Sequence, residues 1–219
     1  MRIIDLATWP RRRHFALFHG FDNPHFGLCA NVDITRARAE LKERGLPVTP
    51  ALIYLLARAA NAIPEFRHRI RGAGADAQVV EHEWAHPSPT VLPEDGLFSF
   101  CTIPFHPDPA RFLPDAQARL QDAVRQPSLE DVPGADDLLY MTCIPWISFT
   151  GVQHPMHLRP VDSIPRIAWG RFFEEGGRLK MPLAVQGHHA LMDGVHLGRY
   201  YALAQELLDQ PSTWTEPGP

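Results

Sequence analysis

Lysine is almost missing from this chain: Lys42 and Lys180 are the only two among 219 residues, and arginine carries the remaining positive charge. With 21 basic against 25 acidic side chains the formal net charge is −4. That balance argues against a nucleic-acid binder, which shows a basic face. Cysteine is scarce and odd in number: Cys29, Cys101 and Cys143 stand far apart. Their spacing excludes a disulfide frame and suits buried thiols in a reducing compartment. No apolar run reaches the roughly 18 residues of a membrane span; the longest, Ala51 to Ala57, stops at Arg58. The N-terminal stretch has Asp5 inside its short apolar segment and no cleavage pattern, so no secretory signal is expected and the protein is read as cytoplasmic. Hydrophobic residues make up 45% and charged residues 21%, the composition of one globular domain with a real core.

Two residue types are abundant instead, with 22 prolines and 12 histidines. The prolines imply short, interrupted elements. Strands are expected at Phe26 to Ile34, Phe66 to Ile70, Gln78 to Trp84, Leu97 to Ile103, Leu138 to Phe149 (broken at Pro145-Trp146), around Ile167, and at Met181 to His188. Helices are expected from Thr35 to Glu43 with Gly45 closing it, from a Thr49 cap with Pro50 at the first helical position to Pro64, over Pro109 to Val124, and from Gly194 to Leu208. Strands and helices alternate, which predicts α/β or α+β layers. Residues 1–208 read as one domain, and 209–219 as a loosely ordered tail.

The histidines raise the question of metal. His82-Glu83-Trp84-Ala85-His86 spells a zinc-peptidase pattern that works only on a helix, where both rings share a face. Pro87 disfavours helical backbone at His86, and no third ligand is evident, so no metal is expected. His154 and His157 have metal-like spacing but no acidic or thiol partner nearby. A second pattern is more promising. Gln186-Gly187-His188-His189-Ala190-Leu191-Met192-Asp193-Gly194 lies where a strand ends and the last helix begins. A histidine there projects from a rigid edge, and Asp193 sits where helix N-termini favour negative charge. A neutral imidazole so held can take a proton from a hydroxyl or thiol.

This segment, extended to His196, resembles the His-His-Ala-x-x-Asp-Gly-x-His signature of the chloramphenicol acetyltransferase family. The shorter His-x-x-x-Asp-Gly is common to several acyltransferases, but other motifs narrow the resemblance. Trp9-Pro10-Arg11-Arg12-Arg13-His14-Phe15 is similar to the family's Trp-x-Arg-Arg-x-His-Phe. Val32-Asp33-Ile34-Thr35, Pro50-Ala51-Leu52-Ile53-Tyr54, Thr90-Val91, Phe98-Ser99, Ile144-Pro145-Trp146 and Gly177-Arg178-Leu179 follow in the family's order. The resemblance spans Trp9 to about Leu208. It implies a two-layer sandwich, a mixed β-sheet with helices on one side, of the CoA-dependent acyltransferase type. It also implies acetyl transfer from the cosubstrate acetyl-CoA to a hydroxyl of chloramphenicol or another small acceptor, without metal, and a role in antibiotic resistance. The family forms homotrimers with active sites at subunit interfaces.

Residue by residue, the resemblance makes His189 the general base and His188 structural. Asp193 becomes the partner of an N-terminal arginine, which falls on Arg11, or on Arg12 or Arg13 if the register slips. Thr142 stands where the family has its oxyanion serine. The acceptor pocket would be formed by Leu17, Phe18, Phe26 and Leu92. Ala168 replaces a pocket threonine there, and Arg166 an apolar position. The stretch from Thr90 to Ser99 is shortened and holds Pro93. These departures keep open a different hydroxyl acceptor, or a binding protein without catalysis.

Overall fold

The computed structural model describes residues 1–130, 134–157 and 162–215. Its main sheet is mixed. Its strands run β2 (His25–Asp33), β10 (Arg178–His188), β8 (Arg166–Gly170), β7 (Leu138–Ile144), β5 (His86–Val91) and β6 (Ser99–Phe100), and β9 (Phe173–Glu175) pairs with β10. The β5–β7 and β7–β8 pairs are parallel; β10 is antiparallel to both β2 and β8. A smaller sheet holds β1 (Arg2–Ile4), β4 (Gln78–Glu81) and β3 (His68–Arg71).

Period-two patterning explains which face is covered. Met181, Leu183 and Val185 of β10 are buried in the main core, with Leu139 and Met141 of β7 and Ile167 and Trp169 of β8. Ala184 and Gln186 point the other way, into a surface cavity. Helices α2 (Thr35–Glu43), α3 (Val48–Asn61), α4 (Pro109–Arg125) and α5 (Gly194–Asp209) cover the core face, giving a two-layer α/β sandwich. Apolar on nearly every side, α3 is buried from Pro50 to Ala57. No helix among the described residues is long and apolar enough to cross a membrane.

A second apolar cluster matters for the site. Phe15 of α1 (Arg12–Phe18) packs with Ala77, Val79, Ala190 and Leu191, and Ile4, Leu6, Trp9, Phe18 and Ile70 lie against them. The small sheet and the N-terminal segment thus form a rigid bed under the loop after β10.

Several boundaries differ from expectation. Helix α3 begins at Val48 after Pro47, so Thr49 is inside the helix rather than its cap. Phe66 belongs to a short 3-10 turn before β3, and β4 ends at Glu81. Pro87 and Pro89 hid strand β5, and the expected strand from Leu97 to Ile103 shrinks to Ser99–Phe100. The prolines are tolerated because only one side of β5 loses donors. Their carbonyls accept from Cys101 N–H at 3.0 Å and Ile103 N–H at 2.9 Å, while the other side pairs with β7. The C-terminal region also departs: α6 (Ser212–Thr215) docks instead of trailing loosely. Trp214 is fully buried and donates its indole N–H to Leu207 O at 2.7 Å. Residues 216–219 of the expected tail lie outside the described residues. Of the cysteines, all free, Cys101 is buried but Cys29 and Cys143 are half-buried.

Candidate active site

The zinc-like pattern does not form a helix: residues 82–85 link β4 to β5 as irregular chain. His82 lies beside Asp136 at 2.9 Å, and His86 Nδ1 accepts Phe105 N–H at 2.9 Å. Among the described residues no group of three or more His, Cys, Asp or Glu could hold a metal ion.

At the end of β10 the chain turns, and His189 N–H donates to Pro24 O at 2.8 Å. The imidazole of His189 is then fixed in three ways. Phe18 stacks flat on it, with centroids 4.0 Å apart and planes 7° apart. Phe26 lies on it at 4.5 Å and 31°. Its Nδ1 stands 3.1 Å from Met192 O. A carbonyl only accepts, so the network assigns the proton to Nδ1 and the lone pair to Nε2. Among the described residues Nε2 has no hydrogen-bond partner.

The loop that carries His189 is held by Arg11. Its guanidinium donates to Asp193 Oδ2 at 2.5 Å, to His189 O at 2.8 Å and to Ala190 O at 3.1 Å. Arg12 and Arg13 are exposed, so the register places Arg11 as the partner. Asp193 caps α5 through Val195 N–H at 3.1 Å. Burial opposes its ionisation, but Arg11, His196 and the Val195 amide outweigh this and hold its carboxyl below the usual range. His196 closes the cap from the third helical position. Its Nδ1 accepts Asp193 N–H at 3.0 Å and lies 2.9 Å from Asp193 Oδ1, while its Nε2 faces Glu65 Oε1 at 3.3 Å.

His188 points inward. It is 1% exposed, and its Nδ1 accepts Ala190 N–H at 3.1 Å. Burial, reinforced by His25, His19 and His189, presses its pKa down to about 3, so it is neutral.

The other expected residues stand elsewhere. Thr142 lines a cavity of about 1010 Å³ with Leu92, Phe98, Tyr140, Trp146 and Arg166. The Thr142 hydroxyl has no partner among the described residues. Phe26 and Arg166 line a second cavity of about 320 Å³. Arg166, 6% exposed, is ion-paired with Asp162, donates to Ile164 O at 2.8 Å and lies over the Tyr140 ring at 5.3 Å. Ala168, expected in the pocket, is fully buried and lines neither cavity. Leu17, expected in the pocket, is 56% exposed and lines neither cavity.

Thr142 and His189 therefore belong to separate regions of one chain. The register sets Thr142 opposite Ala168, and Ala168 opposite Ala184, five residues before His189. Strand rise and spacing put their backbones about 19 Å apart. Large apolar side chains are exposed in both regions: Leu17 and Phe21 flank Phe18, which stacks on His189, and Leu92, Phe98 and Trp146 line the larger cavity, with Leu97 and Ile147 next to them in the chain.

Three features escaped the sequence reading. The carbonyl of Met192 leaves no mark in the side-chain pattern. A Cβ at Gly187 would stand 2.3 Å from Met192 Sδ, so the bare glycine leaves the room into which Met192 folds. The contact of Glu65 with His196 joins positions too far apart in sequence to be read as a pair.

Comparisons with known proteins agree with one another. A family model described as chloramphenicol acetyltransferase matches residues 1–205. The chain is 32% identical over 210 residues to chloramphenicol acetyltransferase 2 of Escherichia coli, covering 94% of this chain and 96% of the relative. It is 32% identical over 206 residues to the chloramphenicol acetyltransferase of Bacillus pumilus, covering 93% and 92%. A solved chloramphenicol acetyltransferase superposes with a TM-score of 0.82 at 29% identity, covering 94% of this chain and 99% of the other. The cubic core of the pyruvate dehydrogenase multienzyme complex shares the fold, with a TM-score of 0.65 at 18% identity and coverage of 88% and 84%.

Proposed function

Since the chain belongs to the chloramphenicol acetyltransferase family of CoA-dependent O-acetyltransferases, we propose that it moves the acetyl group of acetyl-CoA to a hydroxyl of chloramphenicol, with His189 as general base. One observation carries this reading: Met192 O holds Nδ1 of His189, which leaves the Nε2 lone pair without a partner among the described residues and ready to accept a proton. His189 Nε2 removes the hydroxyl proton as the hydroxyl oxygen adds to the thioester carbon. The carbonyl electron pair moves to oxygen, where the Thr142 hydroxyl donates to it. Collapse of the tetrahedral intermediate breaks the carbon–sulfur bond, and the departing thiolate takes the proton from the imidazolium. No bond forms between enzyme and acetyl group. A base of this kind contributes about 10²–10⁴-fold. An oxyanion donor contributes about 2.7–4 kcal/mol.

With the two groups about 19 Å apart in one chain, His189 and Thr142 meet over one carbonyl only if they come from different copies. We assign the assembly as a homotrimer with its sites between subunits; the apolar side chains exposed around both half-sites are the surface it would bury. A cytoplasmic location accords with the need for acetyl-CoA, and acetylation of the antibiotic would make the protein a resistance enzyme.

The assay is release of CoA thiol with acetyl-CoA, with and without chloramphenicol. Release that needs both substrates, and falls by about 10²–10⁴-fold in His189→Ala with the fold intact, is the expected result. Full activity of that variant refutes the assignment. A second reading keeps the chemistry and changes the acceptor. It rests on the buried Arg166–Asp162 pair, which puts a charged, hydrogen-bonding group in the cavity wall. Under it, other alcohols turn over better than chloramphenicol in the same assay. A protein that only binds would release no thiol with any acceptor.

A further inference from the structure

The base loop is tied to a group outside it. Glu65 lies in the 3-10 turn that follows α3, 124 positions before His189, and neither cavity includes it. Its Oε1 faces His196 Nε2 at 3.3 Å, with both side chains mostly buried at 22% and 11% exposure. On the other edge of the ring, Nδ1 accepts the backbone N–H of Asp193 at 3.0 Å. An imidazole that accepts at Nδ1 carries its proton on Nε2 when neutral, and a carboxylate beside Nε2 stabilises that tautomer. Asp193 in turn receives Arg11, and Arg11 holds the carbonyls of His189 and Ala190. Glu65 is thus linked through His196, Asp193 and Arg11 to the backbone of His189.

We propose that Glu65 is a positioning residue for the base, fixing through His196 the cap on Asp193 and hence the loop that aims His189. This rests on His189 being the base. At Nδ1 the Asp193 N–H favours a lone pair, while Asp193 Oδ1 at 2.9 Å favours a proton; Glu65 at Nε2 tips that balance toward the Nε2–H form, and without it the balance is lost. With the proton on Nδ1, the ring donates to Asp193 Oδ1 instead of accepting the Asp193 N–H, and that N–H loses its partner. The cap opens, Asp193 shifts against Arg11, and the carbonyls that set the His189 backbone are released.

The test uses the full chain with Glu65→Ala and Glu65→Gln. The tautomer of His196 is read by long-range ¹H–¹⁵N NMR of ring-labelled histidine, its signal assigned with His196→Gln. Initial rates of thiol release are measured alongside, with whichever acceptor the wild type accepts. In wild type and Glu65→Gln, whose amide oxygen still accepts from Nε2, His196 is the Nε2–H form. In Glu65→Ala a fraction moves to the Nδ1–H form. There kcat falls by about 10–100-fold, the usual loss when a partner that orients an imidazole is removed. KM for acetyl-CoA stays within about twofold, and Gln restores most of kcat. An unchanged His196 tautomer in Glu65→Ala overturns the proposal. So does a kcat within twofold of wild type, or a kcat lost equally in Ala and Gln. If wild type releases no thiol with any acceptor, the general-base reading fails. The NMR comparison still decides whether Glu65 sets the His196 tautomer.

Discussion

Replacing Arg11 by Met, which keeps the length of the stem and removes the guanidinium, tests how the base is held. The side chain is 11% exposed, and its partner Asp193 is 29% exposed. Three bonds disappear, one to a carboxylate and two to backbone carbonyls. Removing one partner from a fully buried ion pair costs about 3–5 kcal/mol. Water reaches Asp193, so the expected loss is smaller, about 2–4 kcal/mol of unfolding free energy. The kinetic effect comes from the carbonyls. Unheld, the loop can displace the imidazole by about 1 Å, a shift that costs on the order of 10²-fold in rate. Arg11→Met should therefore lower kcat by about 100-fold with KM for acetyl-CoA little changed. Arg11→Lys keeps a charge for Asp193 but reaches one partner at a time, so it should recover stability more than kcat. The double variant Arg11→Met/Asp193→Asn should regain part of the stability, because no unpaired charge remains, and none of the rate. Urea unfolding and thiol-release kinetics on the four proteins measure both quantities. Wild-type kcat in Arg11→Met would refute the argument that the guanidinium positions the base.

Three more outcomes follow from the same geometry. Thr142→Val should cut kcat by the roughly 10²–10³-fold typical of one lost oxyanion donor, and Thr142→Ser should keep most of it; equal rates in Val and Ser would remove Thr142 from the mechanism. Trp214→Ala should cost about 3–5 kcal/mol, as for a large buried aromatic, and lower Tm, whereas an unchanged Tm would mean that the docked C-terminal turn contributes nothing. His188, with its pKa near 3 in the fold and about 6.5 when unfolded, is neutral in the native state at pH 5 while the unfolded ring is protonated. The unfolded state binds the extra proton, so this stability is complete above about pH 6.5 and shrinks as pH falls toward 3, by about 2 kcal/mol at pH 5. Unfolding midpoints at pH 7.5 and pH 5, at fixed protein concentration, should show a shallower pH dependence in His188→Asn. Identical slopes would count against a neutral buried ring.

How much was legible beforehand depended on whether the signal was local. The junction of β10 and α5 and the helical spans of α2, α4 and α5 are written in short patterns of caps, glycines and apolar spacing. Strand β5 was hidden because Pro87 and Pro89 look like breakers; which edge of a strand lacks donors is a property of the sheet. The docking of Trp214 was unreadable for a similar reason, since its contacts lie beyond its own segment.

By itself the sequence determined the chemistry on offer: a histidine and an aspartate at fixed spacing where a strand meets a helix, an arginine in the N-terminal motif, and a hydroxyl before a Pro-Trp. Those are covalent facts of order and side-chain type. Only the tertiary structure decided which arginine reaches Asp193, since Arg11, Arg12 and Arg13 differ only in the direction that α1 gives them. It also decided which ring nitrogen of His189 carries the proton, because a carbonyl is identified as a partner by distance and not by residue type. The same geometry set Thr142 and His189 apart, a separation that strand order and register impose and that no spacing along the chain could express.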